Sequence, residues 1–269
     1  MSAQITQVTE VTIEQVKELR DLTGISIMQC KRALEEAQGD MKKALAILKK
    51  TSSDIALKKV NREAKDGALM IKSNGKKAVL VSLHCETDFV SRNEDFTTLL
   101  SALTDMALSE GIEKTKASAK DMIDPIIQKT GENIILGEIY ELGGDVIGSY
   151  VHNNKIGAMV SLSGGNSKLA KDIAMHIAAM KPEYITENEI SDDARKTITE
   201  VFQKEIAGID KPPEIRKKML EGKINAYFKE KILLDQLFIK NTSENASVTV
   251  GELLEKNNAK ISGVKRYSI

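Results

Sequence analysis

Cys85-Glu86-Thr87-Asp88-Phe89-Val90-Ser91-Arg92 lies between a strongly apolar strand pattern and a strongly amphipathic helix pattern, and the reading of this junction decides the fold around it. From Ala78 to Cys85 the residues alternate so that Val79, Val81, Leu83 and Cys85 share one face, as in a strand. Ser91 with Glu94 predicts a capping box. Phe96, Leu99, Leu100, Leu103 and Met106 then follow as an apolar stripe at helical spacing. Thr87-Asp88-Phe89-Val90 is therefore a short strand-to-helix turn. It carries a large ring in a chain with five Phe and no Trp. Two readings stand: Phe89 folds beneath the helix as an ordinary core residue, or a rigid turn presents it as an anchor for a partner's pocket.

Outward from this junction the same grammar appears twice. Ala68-Leu69-Met70-Ile71 turns through Asn74-Gly75 into Val79-Leu80-Val81-Ser82-Leu83, a hairpin signature. Gly148-Ser149-Tyr150-Val151 turns at Asn153-Asn154 into Ala158-Met159-Val160-Ser161-Leu162. The helix after it carries Leu169, Ile173, Ile177 and Met180 and ends before Pro182. The predicted class is α+β, with two related subdomains, residues 67–145 and 146–269, each a small antiparallel sheet covered by helices. The second copy has Gly164-Gly165-Asn166 where the first has its Asp-Phe turn, so the shared architecture does not require the Phe.

Ahead of the sheets, residues 1–50 hold three short helices. The first is capped by Thr12 with Gln15, buries Ile13, Val16 and Leu19, and stops at Gly24. The second starts at Ser26 with Gln29 and ends at Gly39. The third starts at Asp40 and stacks Met41, Ala44, Leu45 and Leu48. Such a bundle is marginal alone. Residues 51–66 read as a helical linker with Ile55, Val60 and Ala64 inward. Within the second subdomain, residues 191–231 predict a protruding helical hairpin broken at Gly208 and Pro212-Pro213. Ala194, Ile198, Val201 and Phe202 share one face of it, and Ile215, Met219 and Tyr227 share another. Gly222 inside its second helix costs ~1 kcal/mol against Ala, which suggests close backbone approach. A polar loop from Asn241 to Ser247, a helix capped by Thr249 and a strand near Ile261 to Tyr267 close the chain.

The composition excludes several classes. Lys plus Arg and Asp plus Glu are both 39 in 269 residues, a net charge of zero, which argues against a nucleic-acid partner. No apolar run approaches the ~20 residues of a membrane span. The N-terminus carries Glu10 and no basic-then-apolar signal pattern. Cys30 and Cys85 lack metal spacing and look like small buried hydrophobes in a reducing compartment. A soluble, cytoplasmic protein is expected, in which the glycosylation patterns Asn241-Thr242-Ser243 and Asn245-Ala246-Ser247 have no meaning. His84 and Cys85 point to opposite strand faces and cannot pair as base and nucleophile. His176 reads as structural, and His152 as exposed. An enzyme using Asp88, Glu86 and His84 would lack a second acid, base or nucleophile. A binding protein without cofactor or metal is the expectation.

Leu19-Arg20-x-x-Thr23-Gly24 followed by Ser26-Ile27-Met28-x-Cys30-Lys31-Arg32-Ala33-Leu34, together with Thr87-Asp88-Phe89-Val90, closely resembles the elongation factor Ts family. Members of that family exchange nucleotide on elongation factor Tu. The likeness continues through Gly131-Glu132-Asn133-Ile134, Gly144-Asp145-Val146-Ile147-Gly148-Ser149-Tyr150, His152 with Lys155-Ile156-Gly157, residues 173–179, and Val250-Gly251-Glu252-Leu253-Leu254. The three helices also look like a ubiquitin-associated domain, in fold only. The resemblance implies that Asp88 and Phe89, framed by Thr87 and Val90, enter the GTPase domain and displace the elements holding magnesium and diphosphate. His152 and Gly131 would support the same surface, and Arg20, Ile27, Met28 and Lys31 would grip the GTPase domain elsewhere. Some members self-associate through the helical hairpin, so homodimerisation is an expectation of the resemblance, although intramolecular pairing explains the hairpin stripes equally well. This sequence departs from the usual pattern at Ser82 (Glu), His84 (Asn), Ile27 (often Met), Gln29 (usually another polar residue) and Leu237 (often Pro). It ends at Ile269 without the extra C-terminal helix of some members.

No Gly-x-x-x-x-Gly-Lys-Ser/Thr occurs; in the nearest imitation, Gly67 to Ser73, Ile71 replaces the second Gly in a strand. Equilibrium dialysis should accordingly find neither GDP nor GTP bound by the purified chain. Stoichiometric, magnesium-dependent binding would contradict this.

Overall fold

In the computed structural model, which describes residues 11–240 and 247–269, the alternation ending at Cys85 forms β2 (Lys77–Cys85), hairpinned to β1 (Asp66–Ser73). In the turn, Asn74 Oδ1 accepts the N–H groups of Lys76 and Lys77, and Gly75 adopts a φ of 89° that suits only glycine. β3 (Ile135–Gly143) completes a sheet in the order β1-β2-β3. Val79, Val81, Leu83 and Cys85 share its core face with Phe96, Leu99 and Leu100 of α5 (Glu94–Glu110) and with Ile123 and Ile127 of α6 (Ile112–Thr130). The opposite face of β2 is closed too. Leu80 and Ser82 are fully buried, and Ser82 Oγ accepts the Glu138 N–H at 2.7 Å while donating to the Glu138 carbonyl at 3.2 Å. A Cβ at Gly137 would lie 2.4 Å from that hydroxyl, so a larger residue at either position would require the other to give way.

The helix after the junction does not start at Ser91. Asp88–Ser91 is a separate turn, α4, and α5 begins after Asn93, whose Oδ1 accepts the Asp95 N–H at 2.8 Å. Ser91 is buried and donates its hydroxyl to the Asp88 carbonyl, which turns it away from the α5 terminus.

The three N-terminal helices are α1 (Ile13–Thr23), α2 (Ile27–Glu36) and α3 (Met41–Leu57). Thr12 and Gln15 form the full capping box, Gly24 closes α1 in the left-handed region, and Asp40 Oδ1 takes the N–H groups of Lys42 and Lys43. Val16, Leu19, Cys30, Ala33, Leu34, Ala44 and Leu48 pack together. Ile13, expected inside, is 82% exposed, because Val11 on the other side of the cap packs against this cluster instead, in staple fashion. Leu45 also stays at the surface. α3 runs past residue 50 and docks on α6 through Lys49–Asp121 (2.7 Å), Ser53 to Asp124 (2.6 Å) and Ser52 to Gln128. Of the linker residues expected inward, Ile55 packs on the sheet's core, whereas Val60 lies in the turns after α3 and is exposed.

Contacts divide the chain into one unit of residues 1–72 and 79–141 and another of 73–78 and 142–268. In the second, β4 (Val146–His152), β5 (Ile156–Ser163) and β6 (Lys260–Ser268) form an antiparallel sheet in that order. Asn153 and Asn154 take positive φ of 50° and 56°, the two-residue turn that matches strand twist. α7 (Ser167–Met180) covers the sheet with Leu169, Ile173 and Ile177, though Met180 at its end is exposed. It lies so close to β4 that a Cβ on Gly148 would come within 2.1 Å of the Ala170 backbone. α10 (Val250–Lys256) begins with a Thr249–Glu252 capping box. His176 of α7 is wholly buried. Its Nδ1 accepts the Ile239 N–H at 3.1 Å, so Nε2 carries the proton donated to Gln236 Oε1 at 2.9 Å, and Phe238 stacks on the ring at 5.8 Å. Residues 241–246, with the predicted polar loop and glycosylation patterns, and Glu10 lie outside the described residues.

The hairpin pairs α8 (Asp192–Ala207) with α9 (Pro213–Lys231) through Phe202 edge-on to Tyr227 at 6.0 Å and Arg195 over Phe228 at 5.3 Å. Val201 and Ile215, expected on buried stripes, are 48% and 44% exposed. A two-helix layer has only one side to cover, so residues at the stripe edges stay wet. Gly222 is not a close-approach site, because a Cβ there meets nothing within 4 Å.

Gly222→Ala should therefore stabilise the hairpin by ~1 kcal/mol through helix propensity alone, read as a rise in melting temperature; a fall would reveal a contact at that position. His176 gives a pH signature. Burial depresses its pKa below 6.5, so at high pH it is neutral in both states. As pH falls through 6.5 the unfolded chain takes up a proton that the native state refuses, and stability declines by at most about 1.4 kcal/mol per pH unit. Urea midpoints between pH 7.5 and 5 should show this slope, and His176→Gln should flatten it; equal slopes in both proteins would contradict the account.

Candidate partner-docking site

β2 delivers the chain to Glu86 and Thr87, which remain extended (Thr87 φ −130°, ψ 158°) before α4 turns. On the underside Val90 and Ser91 are buried. On the outside Phe89 is 84% exposed, which removes the core reading of this ring. Both flanking elements already have complete apolar stripes without it. Full burial of such a side chain is worth about 1.5–3 kcal/mol, a gain this fold leaves unused. Asp88 beside it pairs with Arg92 at 3.2 Å.

The turn is fixed from below by a residue far along the chain. α6 ends at Gly131, which takes a φ of 77°, a conformation that a Cβ would strain. The next residue, Glu132, directs its carboxylate at the turn. Oε2 accepts the N–H groups of Glu86 and Thr87, both at 3.0 Å, and Oε1 accepts the Thr87 hydroxyl at 2.6 Å. Thr87 therefore does not cap α4, because its hydroxyl is committed to Glu132. The Thr87 carbonyl in turn accepts from Cys85 Sγ at 3.2 Å and from the Ser91 N–H at 3.2 Å. Glu86 completes the network: Oε1 accepts the Asn133 N–H at 2.7 Å and lies 3.5 Å from Arg62, whose carbonyl accepts from Asn133 Nδ2 at 2.7 Å. Lys59 reaches the Gly131 carbonyl.

Thr87, Asp88, Phe89, Val90 and Gly131 thus belong to one small constellation. Arg20 lies exposed on α1. Ile27 and Met28 open α2 with 54% and 60% of their surface in water, and Lys31 pairs with Glu35 at 3.7 Å. Leu22, which sequence reading did not single out, is also exposed at 64%, although its spacing of three from Leu19 would set it beside the buried stripe. His152 closes β4 in the other unit. It is exposed, its Nδ1 lies 3.2 Å from Tyr150 Oη, and its ring stacks on Tyr150 at 6.2 Å. The corresponding junction of the second unit is shut: a Cβ on Gly164 would fall 2.2 Å from the Asn258 carbonyl, and one on Gly165 would lie 3.0 Å from Ala259.

Arg62, Glu132 and Asn133 were missed as structural supports. The only available signal was a carboxylate directly after Gly131, a glycine that the sequence reading did not recognise as a helix stop. Among the described residues no group of His, Cys, Asp and Glu could hold a metal, and no helix is long and apolar enough to cross a membrane.

Comparison with known proteins adds an independent finding. The family model described as "Elongation factor TS" matches residues 86–269. Elongation factor Ts of Hahella chejuensis is 38% identical over 266 residues, covering 96% of this chain and 92% of that protein. The Pseudomonas fluorescens (strain Pf0-1) protein of the same name is 38% identical over 93% of this chain and 88% of its own. That of Nitrosospira multiformis is 37% identical over 97% and 90%.

Proposed function

The chain belongs to the elongation factor Ts family, and from that premise we propose how its residues promote nucleotide exchange on elongation factor Tu. In keeping with the family it is a nucleotide-exchange factor in translation elongation and not an enzyme. The proposed mechanism puts the Asp88-Phe89 turn into the GTPase domain, close to the site of magnesium and diphosphate. Phe89 fills an apolar pocket there and moves aside the elements that hold the ion and the β-phosphate. Asp88 adds negative charge beside the phosphates and so disfavours bound GDP. Arg20, Ile27, Met28 and Lys31 dock the helical bundle on the GTPase domain at a second place, while Gly131 and His152 add to the surface that meets the GTPase domain. GTP then restores the other state and releases the factor.

One observation carries this reading: Phe89 is 84% exposed on a turn whose backbone is hydrogen-bonded from below. A ring held in water by a mobile loop would collapse onto the nearest apolar surface. A ring held in water by a fixed turn keeps its shape for something else. The coupling follows from linkage. A factor that binds the empty GTPase more tightly than the GDP form must weaken GDP by the same factor, so contacts formed only in the empty state are the effective ones. The hairpin's exposed Val201 and Ile215 are the residues on which self-association would draw.

Phe89→Ala should slow GDP release at saturating factor by more than about tenfold, since a buried aromatic anchor is commonly worth 2 kcal/mol or more. The melting temperature should hardly change, because the ring has almost no intramolecular burial to lose. Asp88→Ala should act in the same direction. Stopped-flow release of fluorescent GDP tests both: an unchanged maximal rate with Phe89→Ala would sink this reading.

A further inference from the structure

We propose that Glu132 is a positioning residue for exchange, acting through Phe89 by clamping the Thr87–Val90 turn, an inference that rests on the role given to Phe89 above. Besides Glu132, the bonds that hold the turn are local ones, from Ser91 to the Thr87 and Asp88 carbonyls and from Cys85 Sγ to the Thr87 carbonyl. α4 is four residues long, too short to sustain itself, since helix formation is favourable only after a costly first turn. The Asp88–Arg92 pair is at the surface, with side chains 47% and 78% exposed, where such pairs contribute little. Phe89 makes no core contact that would tether it. On the N-terminal side the restraint falls to the Glu132 carboxylate, which gathers two backbone N–H groups and a hydroxyl within 3.0 Å. Hydrogen bonds to an ionised acceptor are about twice as strong as neutral ones. On the other side, burial of Val90 and Ser91 fixes the exit.

Gly131 acquires a role from the same geometry. Space around it is open, with nothing within 4 Å of a Cβ position, but its φ of 77° is one that side chains seldom adopt. Its work is to reverse the chain at the end of α6 so that Glu132 points back beneath Thr87. Glu86 and Asn133 then lock the two segments side by side through the Asn133 N–H at 2.7 Å. The arrangement fixes Phe89 before the partner arrives, so the ordering entropy of the turn is not charged against binding of the empty state.

A positioning role and a merely structural one separate in a double-mutant comparison. Glu132→Ala, Glu132→Gln, Phe89→Ala and the double variant Phe89→Ala/Glu132→Ala would each be measured for maximal GDP-release rate on elongation factor Tu and for melting temperature. Glu132→Ala should lower the maximal rate by about tenfold, the scale of one lost charged hydrogen bond. Glu132→Gln should keep most of the rate, because one amide oxygen can still accept both N–H groups. In the Phe89→Ala background, Glu132→Ala should change the rate by less than about twofold, as expected for residues acting as one unit. Should Glu132→Ala fail to fold, Thr87→Val removes only the hydroxyl donor and should cost a smaller part of the rate with the melting temperature kept. Full rate in Glu132→Ala or Thr87→Val while Phe89→Ala is slow would overturn the clamp alone. Independent, multiplying losses in the double variant would overturn it as well. A normal rate in Phe89→Ala would bring down the parent reading and the clamp with it.

Discussion

A strand closed on both faces cannot slide, and β2 is such a strand. From Ala78 to Leu83 every residue is buried, with Val79, Val81 and Leu83 under the helices and Leu80 and Ser82 on the other face. Side chains alternate with a period of two, so a shift of one residue would exchange the two sets and expel a whole apolar row. The Ser82–Glu138 hydrogen bonds and the bare Gly137 opposite add a shape constraint to the apolar one. The end of β2 is therefore delivered to one place, and whatever follows it starts from a rigid origin. A turn at the end of an edge strand open to water would have no such reference.

Stability is distributed unevenly around this origin. The two sheets have closed apolar cores. The helical bundle is small, and the length of α3 lying on α6 ties it to the first sheet's helices with polar links at Lys49, Ser52 and Ser53. The α8–α9 hairpin keeps a slim aromatic seam around Tyr184, Phe228 and Ile232 near its base. Regions with few buried contacts open first, so the hairpin's tip is the expected site of local opening, while β2 and α5 belong to the most protected part of the chain.

Most of this architecture could be read in the residues. Apolar alternation located β2 and β5, turn chemistry located both hairpins, and Thr12, Asp40 and Thr249 marked helix starts. The failures share a cause. β3 was invisible because Ile139 is its only buried residue and charged side chains interrupt its pattern. α6 carries a polar face and Pro125 inside it, and its burial is decided by α3 and α5, not by its own periodicity. Ser91 and Asn93 are both good caps by type; only the burial of Ser91 shows which one serves. For Phe89, neighbours along the chain could not say whether the core was already full without it. Glu132 meets Thr87 across 45 residues, and no local pattern encodes a contact of that span.

The continuity of α3 has a mechanical consequence. It runs unbroken over Met41–Leu57, about 25 Å at 1.5 Å per residue, and rests along α6, whose far end carries Gly131. Helices α1 and α2 pack on its first turns through Ala44 and Leu48. The turn between them comes down beside the last turn of α6, where a Cβ on Gly24 would meet the Lys129 side chain. Beyond the end of α3, Lys59 and Arg62 hold Gly131, Asn133 and Glu86. The helical bundle and the junction after β2 are thus fastened to one pair of helices, α3 and α6. Strain introduced anywhere along that pair would be felt at both, so one substitution between them could disturb two distant stretches of sequence together.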